Sequence, residues 1–171
     1  IRRDKETTKV RVVFDGSAKH GRSNLSLNEC LEKGPNLVPH LFDVVVKFRG
    51  YPIGIVSDVE KAFHQIEVSP GDRPMLHFLW FDDIYQEHPN IVEYQFCRLV
   101  FGLTPSPAIL SSVIQRHLES YKVKEPYIAS LLQDSFYVDD LVGGAIDDDQ
   151  ALEIHEKANG IMSAGGFVLQ K

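Results

Sequence analysis

Three carboxylates in this chain sit where they could do chemistry. Asp139 and Asp140 are adjacent, set between Phe136-Tyr137-Val138 and Leu141-Val142, with Gly143-Gly144 closing the stretch. Apolar residues on both sides of an acidic pair predict a tight β-hairpin with the two carboxylates at or near its tip. Like charges side by side repel, and burying them is costly without a compensating cation, most simply a hard divalent metal. An isolated Asp-Asp pair is more often a solvated surface turn, so a metal needs a further ligand elsewhere in the chain. Asp58 can supply it, because Ile53-Gly54-Ile55-Val56-Ser57-Asp58-Val59 reads as a buried strand ending in a carboxylate. If that strand lies beside the 136–142 hairpin in one sheet, Asp58 and Asp139 face each other across it. Three carboxylates converging in this way can hold two Mg²⁺ ions with positions left open for substrate phosphates, an arrangement suited to in-line displacement at phosphorus.

The rest of the chain supplies elements to position them. Lys9-Val10-Arg11-Val12-Val13-Phe14-Asp15 reads as a strand, followed by a loop at Gly16–Gly21 and an irregular stretch from Ser23 to Pro35. A helix is predicted from Pro39, with Leu41, Val44, Val45 and Phe48 on one face and Gly50 as its C-cap. Phe63, Ile66 and Val68 continue the apolar pattern. Met75 to Phe81 and Ile91 to Cys97 are strand candidates forming an antiparallel pair across the acidic loop 82–90. Phe101-Gly102-Leu103-Thr104-Pro105-Ser106-Pro107 is a turn feeding a helix, with Ser106 as N-cap and Pro107 at N1. Leu110, Val113, Ile114, His117, Leu118 and Tyr121 supply that helix's buried stripe. A last helix runs from about Asp149, with Ala151, Leu152, His155, Ala158, Ile161 and Met162 inward. Gly165-Gly166 ends it and a strand starts at Phe167. There is no internal repeat, linker or low-complexity tract, and the fold class is α+β.

Composition bounds the reading. With 171 residues, 43% hydrophobic and 25% charged, the chain is ordinary for a globular domain or a piece of something larger. No apolar run approaches a membrane span and the N-terminus is no signal peptide, so nothing points out of the cell interior. Cys30 and Cys97 have no metal-site or disulfide spacing and read as small core residues. The formal charge of −6 does not by itself suggest a nucleic-acid partner. Its distribution is uneven: Arg2, Arg3, Lys5, Lys9, Arg11, Lys19 and Arg22 crowd the first segment, while Asp82-Asp83, Asp139-Asp140 and Asp147-Asp148-Asp149 lie later.

Several segments recur together in one known family. Arg11-Val12-Val13-Phe14-Asp15-Gly16-Ser17-Ala18, Ser26-Leu27-Asn28 and Lys33-Gly34-Pro35 look like its fingers motifs, and Asp58-Val59-Glu60-Lys61-Ala62-Phe63-His64-Gln65 like polymerase motif A. Phe101–Pro107 looks like motif B, and Tyr137-Val138-Asp139-Asp140 is the Tyr-x-Asp-Asp of motif C. In order and spacing, over nearly the whole chain, they resemble the reverse transcriptase domain of long-terminal-repeat retrotransposons, most closely the Bel/Pao type.

The resemblance implies a polymerase palm, an antiparallel sheet packed on helices, with part of the fingers. One reverse transcriptase fragment would span 1–171, fingers-like over roughly 1–50 and 66–100 and palm over roughly 51–65 and 101–171. The implied activity is RNA-directed DNA synthesis, in which a primer 3′-hydroxyl displaces pyrophosphate from a dNTP with the help of two Mg²⁺ ions, Mn²⁺ being a substitute. Asp58, Asp139 and Asp140 would be the catalytic carboxylates, and Asp58 and Asp139 the metal ligands together with the Val59 carbonyl. Asp140 would add negative charge, in a role left open.

Around the incoming nucleotide, Phe63 would be the steric gate against a ribose 2′-hydroxyl, next to Val59; its bland alternative is ordinary core. Arg11 would contact the triphosphate, a use suited to its forked guanidinium, with a second cation among Arg3, Lys5 and Lys9. For each of these a solvated surface charge is the alternative. Phe101 and Gly102 would lie under the nascent base pair and template, and Tyr137 and Val138 against the primer. Motif D carries a lysine in this family, but Lys171 is left unassigned.

The implied partners are an RNA or DNA template with its primer, dNTPs, and the other polyprotein domains: thumb, RNase H, integrase and protease. The expected location is cytoplasmic, in a virus-like particle, with a nuclear stage allowed, and with no membrane partner. The thumb and RNase H lie outside this sequence, and flanking domains would carry basic charge that the chain lacks. Two alternatives stay open: a decayed or domesticated copy kept as a binding module, and another two-metal phosphoryl-transfer enzyme such as a nuclease.

Overall fold

The computed structural model describes residues 13–21 and 24–170. The predicted strand at Lys9–Asp15 therefore lies largely outside the described residues. The fold is mixed α+β with antiparallel sheets, and the chain forms two compact units, one of residues 1–32 and 66–106 and one of residues 33–65 and 107–171. Among the described residues no helix is long and apolar enough to cross a membrane.

The second unit carries the acidic segments. Strand β1 (Ile53–Val59) pairs antiparallel with β5 (Asp140–Ala145), in a register running from Ile53 opposite Ala145 to Asp58 opposite Asp140. The two-residue β4 (Phe136–Tyr137) borders β5, and β6 (Leu169–Gln170) borders β1, giving the order β4-β5-β1-β6. Alternation along β1 buries Ser57 and Val59 and leaves Asp58 half-buried on the opposite face. The predicted closing glycines lie instead inside β5. A Cβ on Gly144 would overlap the Tyr51 side chain, so glycine lets that ring seat on the strand.

Four helices complete this unit: α2 (Leu41–Arg49), α3 (Ser106–Glu119), α4 (Pro126–Ser135) and α5 (Asp148–Ala164). Leu110, Ile114 and Leu118 of α3, Ile128, Ala129 and Leu132 of α4, and Ile154, Ala158, Ile161 and Met162 of α5 are all buried. Helix α4 has no counterpart among the sequence-predicted elements, although Pro126 at its first turn and the i, i+4, i+7 spacing of Ile128, Leu132 and Ser135 are helical signals. It delivers the chain straight into β4, which is why the hairpin's first arm has only two residues.

Three predicted faces shift. On α5 Ile154 joins Ala158, Ile161 and Met162 in the interior, while Leu152 and His155 are exposed; on α2 only Val44 is buried, with Leu41 and Val45 exposed; on α3 Val113 is exposed. The cap of α5 is Asp147, whose carboxylate accepts from the Gln150 N–H at 2.8 Å.

The first unit holds β2 (His77–Phe81) and β3 (Ile91–Gln95), the predicted antiparallel pair, now starting at His77 because Arg73–Leu76 forms a 3-10 turn. Phe78 stacks on Tyr94 and Phe96, and Leu76, Val100 and Leu103 form a small core against Phe14, Leu27, Leu31, Val68 and Phe96. The stretch predicted as irregular contains a one-turn helix, α1 (Leu27–Cys30), closed by a capping box. In it the Ser26 hydroxyl accepts from the Glu29 N–H while the Glu29 carboxylate accepts from the Ser26 N–H. Both cysteines are exposed, contrary to the core reading: Cys30 ends a helix with no buried residue, and Cys97 meets its neighbour Val68 through its backbone carbonyl.

Candidate active site

The second unit assembles the acidic site from two strand ends and one turn. Cross-strand partners share a sheet face, so the register that sets Asp58 opposite Asp140 puts these two carboxylates on the same side. Tyr137 pairs with Asp140 across the hairpin, leaving Val138 and Asp139 as its two-residue loop. The Asp139 carbonyl accepts from the Val59 N–H at 3.0 Å, which ties the loop to the end of β1. Where spacing alone predicted Asp58 facing Asp139, the residue opposite Asp58 is thus Asp140, and Asp139 adjoins through its backbone.

The backbone here is strained in two places. Val138 has φ 60° and Lys61 φ 49°, and they are the non-glycine residues of positive φ among the described residues. One immediately precedes Asp139; the other follows Asp58 by three positions. Left-handed backbone is unfavourable for any side chain with a Cβ, and most of all for a β-branched one such as valine. A two-residue hairpin with positive φ at its first loop position ordinarily places glycine there. Strain of this kind persists only where the surrounding structure enforces it, and it gathers at functional sites.

The other predicted residues of this unit fall around the two strand ends. Val59 is buried, and Phe63 is 6% exposed in the 3-10 turn Ala62–Gln65. Beside it, burial and then the Lys61 charge hold the His64 imidazole below its usual pKa, favouring the neutral ring. Val138 also lines a narrow cleft with Leu37, Ser111, Ile114, Gln115 and Phe136. Arg11 and Lys9, the predicted triphosphate contacts, lie outside the described residues, as do Arg3, Lys5 and Lys171.

Phe101 and Gly102 belong to the first unit, where the segment is built around close backbone contact. The Phe14 N–H donates to the Phe101 carbonyl at 2.9 Å, and Gly102 has φ 100°. A Cβ at Gly102 would overlap the Phe14 carbonyl oxygen, so both its dihedral and its surroundings require glycine. Ser106, predicted as a cap, opens α3 buried, with its hydroxyl donating to the Val100 carbonyl at 2.8 Å.

The profile of one family, reverse transcriptase (RNA-dependent DNA polymerase), matches residues 6–171. The chain belongs to the reverse transcriptase family. No curated protein matches it. Membership places this reverse transcriptase domain among the nucleotidyltransferases, enzymes that act on a nucleic-acid template and primer. The family works with divalent metal, and the donor chemistry here suits a hard cation: Asp58 and Asp140 share one face, with Asp139 adjoining. Among the described residues no group of three or more acidic, histidine or cysteine side chains is placed to hold a metal ion, so the expected three-carboxylate cluster of Asp58, Asp139 and Asp140 is not formed.

Proposed function

We propose that this chain is the palm and part of the fingers of an RNA-directed DNA polymerase from a long-terminal-repeat retroelement of the Bel/Pao type. In this reading it adds deoxynucleotides to a primer 3′-hydroxyl on an RNA or DNA template. The observation that carries it is the register of β1 on β5, with Asp58 opposite Asp140 and Asp139 held in a strained loop beside them. An ordinary acidic surface turn would require neither a second carboxylate across the sheet nor a valine in the left-handed region.

Each residue then has a task. Asp58 and Asp139, with the Val59 carbonyl, would hold divalent ions, Mg²⁺ or Mn²⁺ in its place. When bound, these supply charge neutralisation at the transferring phosphate and acidify the attacking hydroxyl. Asp140 keeps the local field negative. Phe63 presents a fixed ring to the sugar of the incoming nucleotide and excludes a 2′-hydroxyl, its burial restricting how far the ring can turn away. Val138 and Tyr137 set the primer end. Phe101 and Gly102 bear on the template base pair, and Arg11 and Lys9 on the triphosphate. Base pairing selects the nucleotide, and the protein reads shape and phosphate.

Primer extension tests this reading. In its natural polypeptide, with poly(rA)/oligo(dT), dTTP and Mg²⁺, the protein should extend the primer, and Asp139→Asn should reduce the rate by about a hundred- to a thousandfold, the size of effect seen when a charge-stabilising group is removed from an active site. Duplex binding without extension by the folded, unsubstituted protein would favour a binding module instead. Degradation of the duplex would favour a nuclease.

A further inference from the structure

We propose that Asn28 is a positioning residue for template and primer, acting by locking the segment Gly102–Thr104 onto the loop Asp15–Ser17. The Asn28 amide group is shared among three neighbours. Its Nδ2 donates to the Gly102 carbonyl and to the Ser17 hydroxyl, each at 2.9 Å, and its Oδ1 accepts from the Thr104 N–H at 2.8 Å. Both N–H donors of the side chain are therefore used, together with its acceptor. Its backbone N–H adds a fourth bond, to the Gly16 carbonyl at 2.8 Å.

The arrangement is specific to asparagine. Aspartate has the same shape but no donor, so a carboxylate there would face the Gly102 carbonyl without a bridging hydrogen. Glutamine is longer by a methylene. Gly16 leaves no slack, since a Cβ on it would stand 2.9 Å from Asn28 Oδ1. The amide is aimed by α1, whose capping box fixes the turn that carries Asn28, and Glu29 on that turn also pairs with Lys19 at 2.7 Å.

Here two bonds from one planar group hold a carbonyl and an N–H of the same short segment, fixing both ends of Gly102–Thr104 at once. In the polymerase reading, on which this inference rests, that segment bears on the template base pair. Its shape would therefore set how tightly template and primer bind.

The test is Asn28→Asp in the natural polypeptide, read three ways. Amide exchange at Thr104 should quicken while the fold, followed by circular dichroism, is kept. The KM for poly(rA)/oligo(dT) should rise about tenfold, with kcat changed less. A fall in the active fraction at unchanged KM would overturn the proposal and leave Asn28 a structural residue only. Should the unsubstituted protein extend no primer, the polymerase reading fails by itself. The fluorescence anisotropy of a labelled primer–template then decides for Asn28: tenfold weaker binding in the variant supports it, and equal binding overturns it. Ser17→Ala, which removes one of the three bonds, serves if Asn28→Asp does not fold. It should raise KM or Kd about threefold, and no change would again overturn the proposal.

Discussion

Gly102 and Val138 meet the same backbone problem and answer it in opposite ways. Each has a positive φ, 100° at Gly102 and 60° at Val138, in a segment to which the proposed function gives a task. At Gly102 the strain is designed out. Glycine adopts the angle freely, and no other residue fits, because the Phe14 carbonyl occupies the space of a side chain. At Val138 the strain is kept in: a β-branched residue is held left-handed by a hairpin whose ladder and Val59–Asp139 bond fix it from both sides. A position needing only a turn would be freed by glycine. A position that also needs a side chain at a set place has to bear the strain.

Substitution can break that contrast. The largest effect should come from Gly102→Ala, which adds both a disfavoured dihedral and a collision with backbone that has no rotamer to escape into. It should cost about 3 kcal/mol of stability. With about 2–4 °C lost per kcal/mol in a chain of this size, thermal melting should show a drop of about 10 °C. A drop under 2 °C would mean that Phe14 moves aside easily and that Gly102 is no more constrained than any loop glycine.

Val138→Gly should act with the opposite sign and less strongly. It releases about 1–3 kcal/mol of backbone strain and gives back about 0.5–1 kcal/mol in unfolded-state entropy. A net gain of about 1 kcal/mol is expected, seen as a melting point higher by a few degrees. Primer extension should nonetheless fall if, as proposed, the Val138 side chain sets the primer end. A variant both less stable and fully active would show that the left-handed valine is neither strained nor used.

What could be read from the residues, and what could not, follows the same division. Strand β1, the β2–β3 pair, α2, α3 and α5 were legible because hydrophobic period and punctuation agree in them. The acidic pair and Asp58 were legible because each closes an apolar run. Helix α4 was missed, since its pattern is compressed between Tyr121 and the hairpin and its Leu131-Leu132 pair blurs the period. The register placing Asp140 opposite Asp58 depends on which residues form the loop, and a shift of one residue exchanges the two aspartates. The left-handed Val138 was hidden because valine is the last residue propensity would put there. Asn28 could be seen within a motif, yet its partners at Gly102 and Thr104 are 74 and 76 positions away. The cysteines misled because burial was inferred from residue type alone.

The smallest predicted effect separates the two regions by what holds them. The Val138 loop is secured by strand pairing, whereas the Gly102 segment depends on Asn28 and so on α1, which is braced by a charged group. Hydrogen bonds from Lys19 first, and then from Ser26, hold the Glu29 carboxyl down to about 2, against an ordinary value of 4.5. The folded state therefore favours the carboxylate. Its contribution is fully present above pH 4.5 and is lost as the pH falls toward 2. Because Glu29 is open to solvent, the effect on global stability should be slight, and local exchange is the better reporter. Glu29→Gln should quicken exchange of the Thr104 N–H at pH 6 and leave the Val59 N–H unchanged. The difference between the variant and the unsubstituted protein should close as the pH drops through that window. A difference that persists unchanged at pH 3 would show that the α1 brace does not depend on the charge of Glu29. Equal quickening at Val59 would show that the two regions do not differ in what secures them.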